Sequence, residues 1–108
     1  METNNVIKVF ISQPMKDKTD KEIWEERDRA IEQLKTLFQK DKELIILDSF
    51  VLEDVPENSN EGLWYLSKSI SILSESDMAV FLPNWESARG CIIEHLCADA
   101  YGIKTMCL

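Results

Sequence analysis

Three short apolar segments of the chain have the length of strands that are covered on both faces. They are residues 6–11 (VIKVFI, interrupted only by Lys8), 44–47 (LIIL) and 78–82 (MAVFL). Nearly continuous apolar runs of this length are typical of parallel sheets with helices on both sides. The last residues, 103–108 (IKTMCL), predict a fourth strand, and residues 50–57 are a candidate fifth strand at an edge.

Amphipathic helices are predicted between these strands. The segment 19–39 begins with a capping box, in which Thr19 is followed three residues later by Glu22. Two further segments repeat apolar residues at helical spacing. These residues are Leu63, Leu66, Ile70 and Leu73 in 61–77, and Ile92, Ile93, Leu96 and Ala100 in the helix that Gly102 closes.

Strands that alternate with helices of this length imply right-handed crossovers and a parallel sheet. A chain of 108 residues with 44% hydrophobic content is long enough for one core and too short for two. We therefore expect a single α/β domain over residues 1–108. Its predicted architecture is Rossmann-like (flavodoxin-like), a three-layer α/β/α sandwich with a four- to five-stranded parallel sheet.

The charge balance narrows the class of partner. There are 12 basic and 20 acidic residues, a net charge of -8, which argues against polymeric nucleic acid and anionic membrane surfaces as partners. We find no charged leader before an apolar segment, and the apolar runs are far shorter than the roughly 20 residues that a bilayer requires. The sequence thus predicts a cytoplasmic protein.

Few residues offer metal or cofactor chemistry. Three cysteines, Cys91, Cys97 and Cys107, form no CxxC pair, so we interpret them as reduced, half-buried core thiols. His95 is adjacent to Glu94 and points about 100° away from it around a helix, which disfavours a shared metal site. Only three glycines are present, and there is no GxGxxG or P-loop. We expect neither a metal nor a cofactor.

Ligands of open parallel sheets bind beyond the carboxyl ends of the strands. The segments that leave the predicted strands at that edge are 12–16 (SQPMK), 48–50 (DSF) and 83–90 (PNWESARG). A site should therefore draw on these three segments. Asp77 precedes its strand and belongs to the opposite edge, where a structural role is favoured.

A glutamate flanked by small residues is the clearest candidate near this edge. Glu94 falls on the second turn of the helix that follows residues 83–90, and Gly90 and Ala98 share its helix face. Their small side chains leave room for a cleft above the carboxylate. A solvated surface glutamate is the competing interpretation, because charged residues are seldom buried.

Arg89 is unusual because a cation in the first turn of a helix opposes the helix dipole. A bound phosphate or carboxylate would remove that conflict, as would a carboxylate partner such as Glu86. Three aromatic residues, Trp85, Trp64 and Tyr65, fall near the same edge. Stacking on a nucleobase and packing in the core are both open interpretations for them.

The motif order resembles a known superfamily. FISQPM, then SESDMAVFLPNW, then ARGCIIEHLCADAYGIK is similar to the nucleoside 2-deoxyribosyltransferase-like superfamily, which includes the 2'-deoxynucleoside 5'-phosphate N-hydrolases. The similarity covers nearly the whole chain. The resemblance implies that Glu94 is a nucleophile that attacks the anomeric carbon of a nucleoside or nucleotide. It also implies a homodimer or a higher homo-oligomer.

This sequence departs from the superfamily pattern at several positions. Ser69 stands where active members carry an aspartate, and a serine has no carboxyl group with which to protonate a departing base. Phe10 replaces a tyrosine of the hydrolases, and Gln13 replaces a glycine. These departures weaken the expectation of efficient turnover.

Two hypotheses follow, with a third behind them. In the first, the protein is an N-glycosidase with Glu94 as nucleophile and with Asp48 or a bound water in place of the missing acid. Phosphate would then be held by Arg89 and the loop of Ser12, Gln13, Pro14 and Met15. In the second, the protein is a nucleotide-binding or sensing module that kept the pocket and lost turnover. The third is an interaction domain with a basic partner.

Overall fold

Four parallel strands form one sheet in the computed structural model, which describes residues 6–38, 42–47 and 53–108. They are β1 (Val6–Ser12), β2 (Glu43–Ile46), β3 (Met78–Phe81) and β4 (Lys104–Cys107). Their order in the sheet is β2-β1-β3-β4, and every pairing is parallel. The predicted sheet is confirmed with four strands. Residues 53–57 form no strand, and the rest of the candidate fifth strand lies outside the described residues.

Within the described ranges, three α-helices connect these strands. They are α1 (Asp20–Phe38), α2 (Glu61–Leu73) and α3 (Arg89–Ala100), with a short 3-10 helix at Trp85–Ser87. The predicted capping box begins α1. The Thr19 backbone N–H donates to the Glu22 carboxylate at 2.8 Å, and the Glu22 N–H donates to the Thr19 hydroxyl at 3.2 Å. This reciprocal pair satisfies two of the N–H groups that a helix start leaves open.

Helices cover both faces of the sheet, because successive residues of a strand point to opposite sides. On one face, Val9 and Ile11 of β1 pack with Ala30 and Leu34 of α1. On the other face, Phe10 packs with residues from both α2 and α3. The fold is therefore the predicted Rossmann-like α/β/α sandwich.

Helix α3 presents a different face to the sheet than its apolar residues predict. Its buried residues are Cys91, Glu94 and Ala98, whereas Ile92 and Leu96 are 38% and 62% exposed. Burial of these two apolar residues, which the helical spacing favours, is therefore wrong; in α2, Leu63 is likewise 63% exposed. Small side chains such as Ala98 bring the helix close to the sheet, and larger apolar residues are left outside.

A glycine closes α3, as the sequence predicts. Gly102 has a φ of +75°, the left-handed conformation that favours glycine. The Ile103 N–H donates to the Ala98 carbonyl at 2.9 Å, and the Gly102 N–H donates to the Asp99 carbonyl at 3.4 Å. This hydrogen-bond pattern is a Schellman motif, which ends the helix and directs the chain into β4.

Candidate active site

The centre of the sheet has the geometry of a ligand site. The neighbouring strands β1 and β3 lead into α1 and α3, which cover opposite faces. Their carboxyl ends lie side by side, because Ser12 pairs with Phe81 in the strand register. A crevice opens at such a switch point in a doubly wound sheet, and ligands bind there.

Glu94 reaches this switch point from the second turn of α3. Its side chain is buried, with only 8% of the residue exposed. The Ser12 hydroxyl at the end of β1 donates a hydrogen bond to Glu94 Oε1 at 2.6 Å. The interpretation of Glu94 as a solvated surface residue is therefore wrong, because this carboxylate is held against the central strand.

Burial raises the pKa of the Glu94 carboxyl above its ordinary value, and hydrogen bonding from the Ser12 and Ser69 hydroxyls opposes that rise. The cause is the loss of water around the charged form. The neutral Ser12 hydroxyl orients the carboxylate without compensating its charge as a cation would. The carboxylate thus keeps its negative charge at neutral pH only at a cost in free energy, which is typical of reactive carboxylates.

A cavity of about 230 Å³ opens beside this carboxylate. We call it the Glu94 cavity; it is lined by Phe10, Ile11, residues 13–15, Ser69, Ala88, Gly90, Cys91 and Glu94. Ser69 comes from α2 and lines the same cavity as the carboxylate. The described part of the cavity thus joins the end of β1, α2 and the first turns of α3.

The two small residues that flank Glu94 have different roles. A Cβ atom added at Gly90 would meet nothing within 4 Å, so the absence of a side chain there leaves open space in the Glu94 cavity. Ala98 is fully buried and packs with Phe10 and Phe81 in the core. The predicted cleft therefore lies on the Gly90 side, and Ala98 is small because the sheet is close.

The loop after β1 is attached to α1 by the side chain of Gln13. Its amide Nε2 donates to the Ile23 carbonyl at 2.8 Å and to Glu26 Oε1 at 3.3 Å. Glu26 also pairs with Lys18 at 2.8 Å. Gln13 is 7% exposed. This network fixes the path of the loop, so that Pro14 and Met15 line the Glu94 cavity.

A second cavity, of about 700 Å³, adjoins the first at the start of α3. We call it the Arg89 cavity; its polar lining residues are Lys16, Asp17, Lys18, Asn84, Ser87 and Arg89. The two cavities share Pro14, Ala88 and Gly90. Basic side chains from the β1 loop and from α3 therefore converge next to the Glu94 cavity.

The start of α3 is favourable for an anion. No side chain caps it at Ala88, and its first turn contains no acidic residue. Within the described residues Arg89 forms no salt bridge, so Glu86 is not its partner there. The Arg89 guanidinium lies near the first turn of α2, since its Nη2 would be 3.4 Å from a Cβ at Gly62. Free backbone N–H groups and a nearby cation are the elements of a phosphate site.

Trp85 is a predicted site residue that lies away from both cavities. Trp85 packs its ring on His95, with centroids 4.4 Å apart and planes 10° from parallel, and it also contacts Phe81. It is absent from the linings of the Glu94 and Arg89 cavities, which favours core packing over nucleobase stacking. Asp48 lies outside the described residues, so its predicted role as the acid stays a prediction.

Sequence reasoning did not single out Cys91 of the Glu94 cavity, or Lys16 and Lys18 of the Arg89 cavity. Cys91 is 4% exposed and lines the Glu94 cavity; burial raises the pKa of its thiol, and the nearby Glu94 carboxylate adds to the rise. Its spacing of three residues from Glu94 placed it on the same helix face and could have identified it. Of the other cysteines, Cys97 is half-buried and Cys107 is exposed, so the expectation of half-buried thiols holds only in part.

Lys16 is the last residue of the predicted segment 12–16, and Lys18 lies two residues further on; that proximity is a signal that the sequence offered. In the described part of the chain, no group of three or more His, Cys, Asp or Glu side chains is arranged to hold a metal ion. None of the helices described here has both the length and the apolar character needed to cross a membrane.

Comparison with known proteins assigns the chain to a family. Residues 7–107 match the sequence model of the family described as Domain of unknown function (DUF4406). Because the match spans nearly the whole chain, the protein belongs to the DUF4406 family. No curated protein and no solved structure matches it. A family description of this kind implies no activity, so the function has to be argued from the site.

Proposed function

We propose that this DUF4406 protein cleaves or transfers the N-glycosidic bond of a nucleoside or a nucleoside 5'-monophosphate, with Glu94 as the nucleophile. The observation that carries the proposal is the burial of the Glu94 carboxylate beside an open cavity, where the Ser12 hydroxyl orients it at 2.6 Å. The resemblance to the nucleoside 2-deoxyribosyltransferase-like superfamily, which the DUF4406 description does not name, supports the same reaction.

The proposed reaction has two steps. A Glu94 oxygen attacks the anomeric carbon while the bond to the base breaks, which gives a covalent glycosyl ester. Water or a second base then attacks that carbon and releases the carboxylate. Open space at Gly90 supports this chemistry, because the sugar must approach the carboxylate closely.

The Arg89 cavity supports a substrate with a 5'-phosphate. Arg89, Lys16 and the uncapped N-terminus of α3 offer cationic and N–H groups next to the Glu94 cavity. A phosphate there would keep the sugar between Arg89 and Glu94. Within the loop of residues 12–15, Pro14 lines both cavities and would help to place the substrate between them.

A second candidate function is nucleotide binding without efficient turnover. Ser69 favours it, because this side chain faces Glu94 with a hydroxyl group and not with a carboxyl group. A binding module would use the same two cavities. Assembly into a homodimer or a larger homo-oligomer and residence in the cytoplasm remain predictions from the sequence and the resemblance.

Release of free base tests the proposal. Ribo- and deoxyribonucleosides and their 5'-monophosphates are incubated with the wild type and with Glu94→Ala, and the products are separated by chromatography. Asp99→Ala is the matched control, since Asp99 is an exposed carboxylate on the same helix. We expect base release from the wild type and from Asp99→Ala, and none from Glu94→Ala.

The melting temperatures measured with the same compounds separate the two candidate functions. A compound that raises the melting temperature of the wild type without any base release would support the binding module. No base release and no thermal shift with any compound would contradict both candidate functions.

A further inference from the structure

The described walls of the Glu94 cavity surround a carboxylate with neutral groups. Phe10, Pro14, Met15 and Ala88 are apolar, and Ser69 contributes only a hydroxyl. The side-chain amide of Gln13 is engaged with α1. Cys91 is a thiol whose pKa is raised by burial, so it is neutral at physiological pH. The cavity thus presents a nucleophile among side chains that are poor proton donors.

The charge of the leaving base decides whether such a cavity can support cleavage of the N-glycosidic bond without a general acid. A neutral base that departs with the bonding electrons becomes an anion, and a general acid is then needed to protonate it. A base that is already cationic, through a quaternised ring nitrogen, departs as a neutral molecule. Such a base requires no proton from the protein.

We propose that the preferred substrate of the Glu94 cavity is an N-glycoside whose base carries a fixed positive charge, such as a pyridinium or an N7-alkylated purine. The proposal rests on the function proposed above, namely that Glu94 is the nucleophile. It deepens that function by naming the substrate class from the chemistry of the walls.

The electrostatics of the cavity match a cationic base. The Glu94 carboxylate is buried, and the neutral Ser12 hydroxyl donates a hydrogen bond to it, so its charge is only partly compensated. A cation placed beside it supplies the missing compensation and lowers its pKa. The net charge of -8 also favours the approach of a positively charged group over a neutral one.

Charges and bonds balance through both steps. A bond forms between a Glu94 oxygen and the anomeric carbon, and the electron pair of the breaking bond neutralises the positive nitrogen of the base. The cationic base and the carboxylate thereby become a neutral base and a neutral ester. Water then attacks the anomeric carbon, the carboxylate is regenerated, and one proton passes to solvent for each substrate hydrolysed.

A matched pair of substrates tests the inference. Guanosine 5'-monophosphate and 7-methylguanosine 5'-monophosphate differ by one methyl group that makes the base cationic. For each compound, the enzymatic rate is divided by the rate of its uncatalysed hydrolysis, which corrects for the greater lability of the methylated nucleotide. We expect the acceleration of the cationic compound to exceed that of the neutral one by at least about 100-fold, the lower range of what a general acid contributes.

The pH dependence with nicotinamide mononucleotide, a pyridinium substrate, gives a second readout. The rate is expected to rise as Glu94 ionises and then to stay level at alkaline pH, because no acid has to remain protonated. A rate that falls again at alkaline pH would overturn the inference, because it would show that a protonated acid is required.

The outcomes separate this inference from the function on which it rests. Equal acceleration of the two guanosine nucleotides, lost in Glu94→Ala, would overturn the preference for cationic bases and keep the glycosidase. No release of base from any cationic or neutral compound would overturn the glycosidase and the preference together.

Discussion

Two carboxylates contact strand β1 from opposite ends, and only one of them has the environment of a reactive group. At the amino end, Asp77 accepts a hydrogen bond from the Lys8 backbone N–H at 2.8 Å and donates its own N–H to the Lys8 carbonyl at the same distance. At the carboxyl end, Glu94 accepts from the Ser12 hydroxyl at 2.6 Å.

The difference between them is solvation and not hydrogen bonding. Asp77 is exposed, so water stabilises its charge and its hydrogen bonds join the chain before β3 to β1. Glu94 is buried beside a cavity, and burial raises its pKa. A short hydrogen bond to a strand therefore identifies a candidate nucleophile only when the carboxylate has also lost its water.

Changing each carboxylate to its amide should separate the two roles most strongly. We expect Glu94→Gln to reduce base release by at least about 10³-fold, because an amide is not a nucleophile of comparable strength. Asp77→Asn should leave base release unchanged and lower the free energy of unfolding by about 1 kcal/mol, through a weakened hydrogen bond. The measurements are initial rates of base release and urea unfolding of both variants.

Glu94→Gln should not lose stability, because the substitution keeps the shape of the side chain and removes a buried charge. Equal losses of activity in the two amide variants would contradict the assignment of a reactive role to Glu94 alone.

The two small residues flanking Glu94 should respond differently to added methyl groups. Ala98→Val overfills a fully buried position and should destabilise the protein by about 1–3 kcal/mol. Gly90→Ala meets no atom within 4 Å and should leave stability unchanged or raise it by up to about 1 kcal/mol, since glycine is unfavourable within a helix. Thermal unfolding measures both effects.

The KM for substrate should also distinguish Gly90→Ala from Ala98→Val. The methyl group of Gly90→Ala projects into the Glu94 cavity, so KM should rise several-fold, whereas the folded fraction of Ala98→Val should keep its KM. A stable Gly90→Ala variant with unchanged KM would show that the substrate does not use this part of the cavity.

Ser12→Ala tests how far the hydroxyl orients the nucleophile. Loss of this hydrogen bond should lower kcat/KM by about 10-fold, the effect of one hydrogen bond to a charged group. The Ser12 hydroxyl lowers the pKa of Glu94, so its removal should move the rising limb of the pH–rate profile to higher pH. Ser69→Ala should also move the rising limb to higher pH, but by a smaller amount than Ser12→Ala. A rate loss without any shift would indicate a packing defect.

Much of the fold follows from local sequence signals, because those signals act over a few residues. The capping box of Thr19 and Glu22 and the closing glycine, Gly102, are found where the sequence predicts them. The orientation of α3 could not be predicted in the same way. Apolar periodicity favours burial of Ile92 and Leu96, whereas the close approach of helix to sheet selects Cys91 and Ala98.

The candidate site could be predicted only where the informative residues belong to a single helix or strand. The spacing of Gly90 and Glu94 on one helix face indicated the cavity, and the end of β1 indicated Ser12. Contacts between distant elements were not predictable. Gln13 binding to α1 and the stacking of Trp85 on His95 depend on the relative placement of helices and strands, which no local pattern encodes.

The smallest expected effect is in the pH dependence of stability. The pKa of Glu94 is raised in the folded protein above its ordinary value of 4.5, so the folded state binds the proton more tightly than the unfolded state does. Its protonated form therefore favours folding below about pH 4.5, and this contribution is lost as the pH rises through the raised pKa.

Glu94→Gln removes the titrating group and keeps the shape of the side chain. The melting temperature of the variant minus that of the wild type should therefore increase as the pH rises from 4 to 8. The difference should be level above the raised pKa, where the wild-type carboxylate is fully charged. A difference that shrinks with rising pH would mean that the charged carboxylate stabilises the fold. Glu94 would then resemble Asp77, and the contrast between the two ends of β1 would fail.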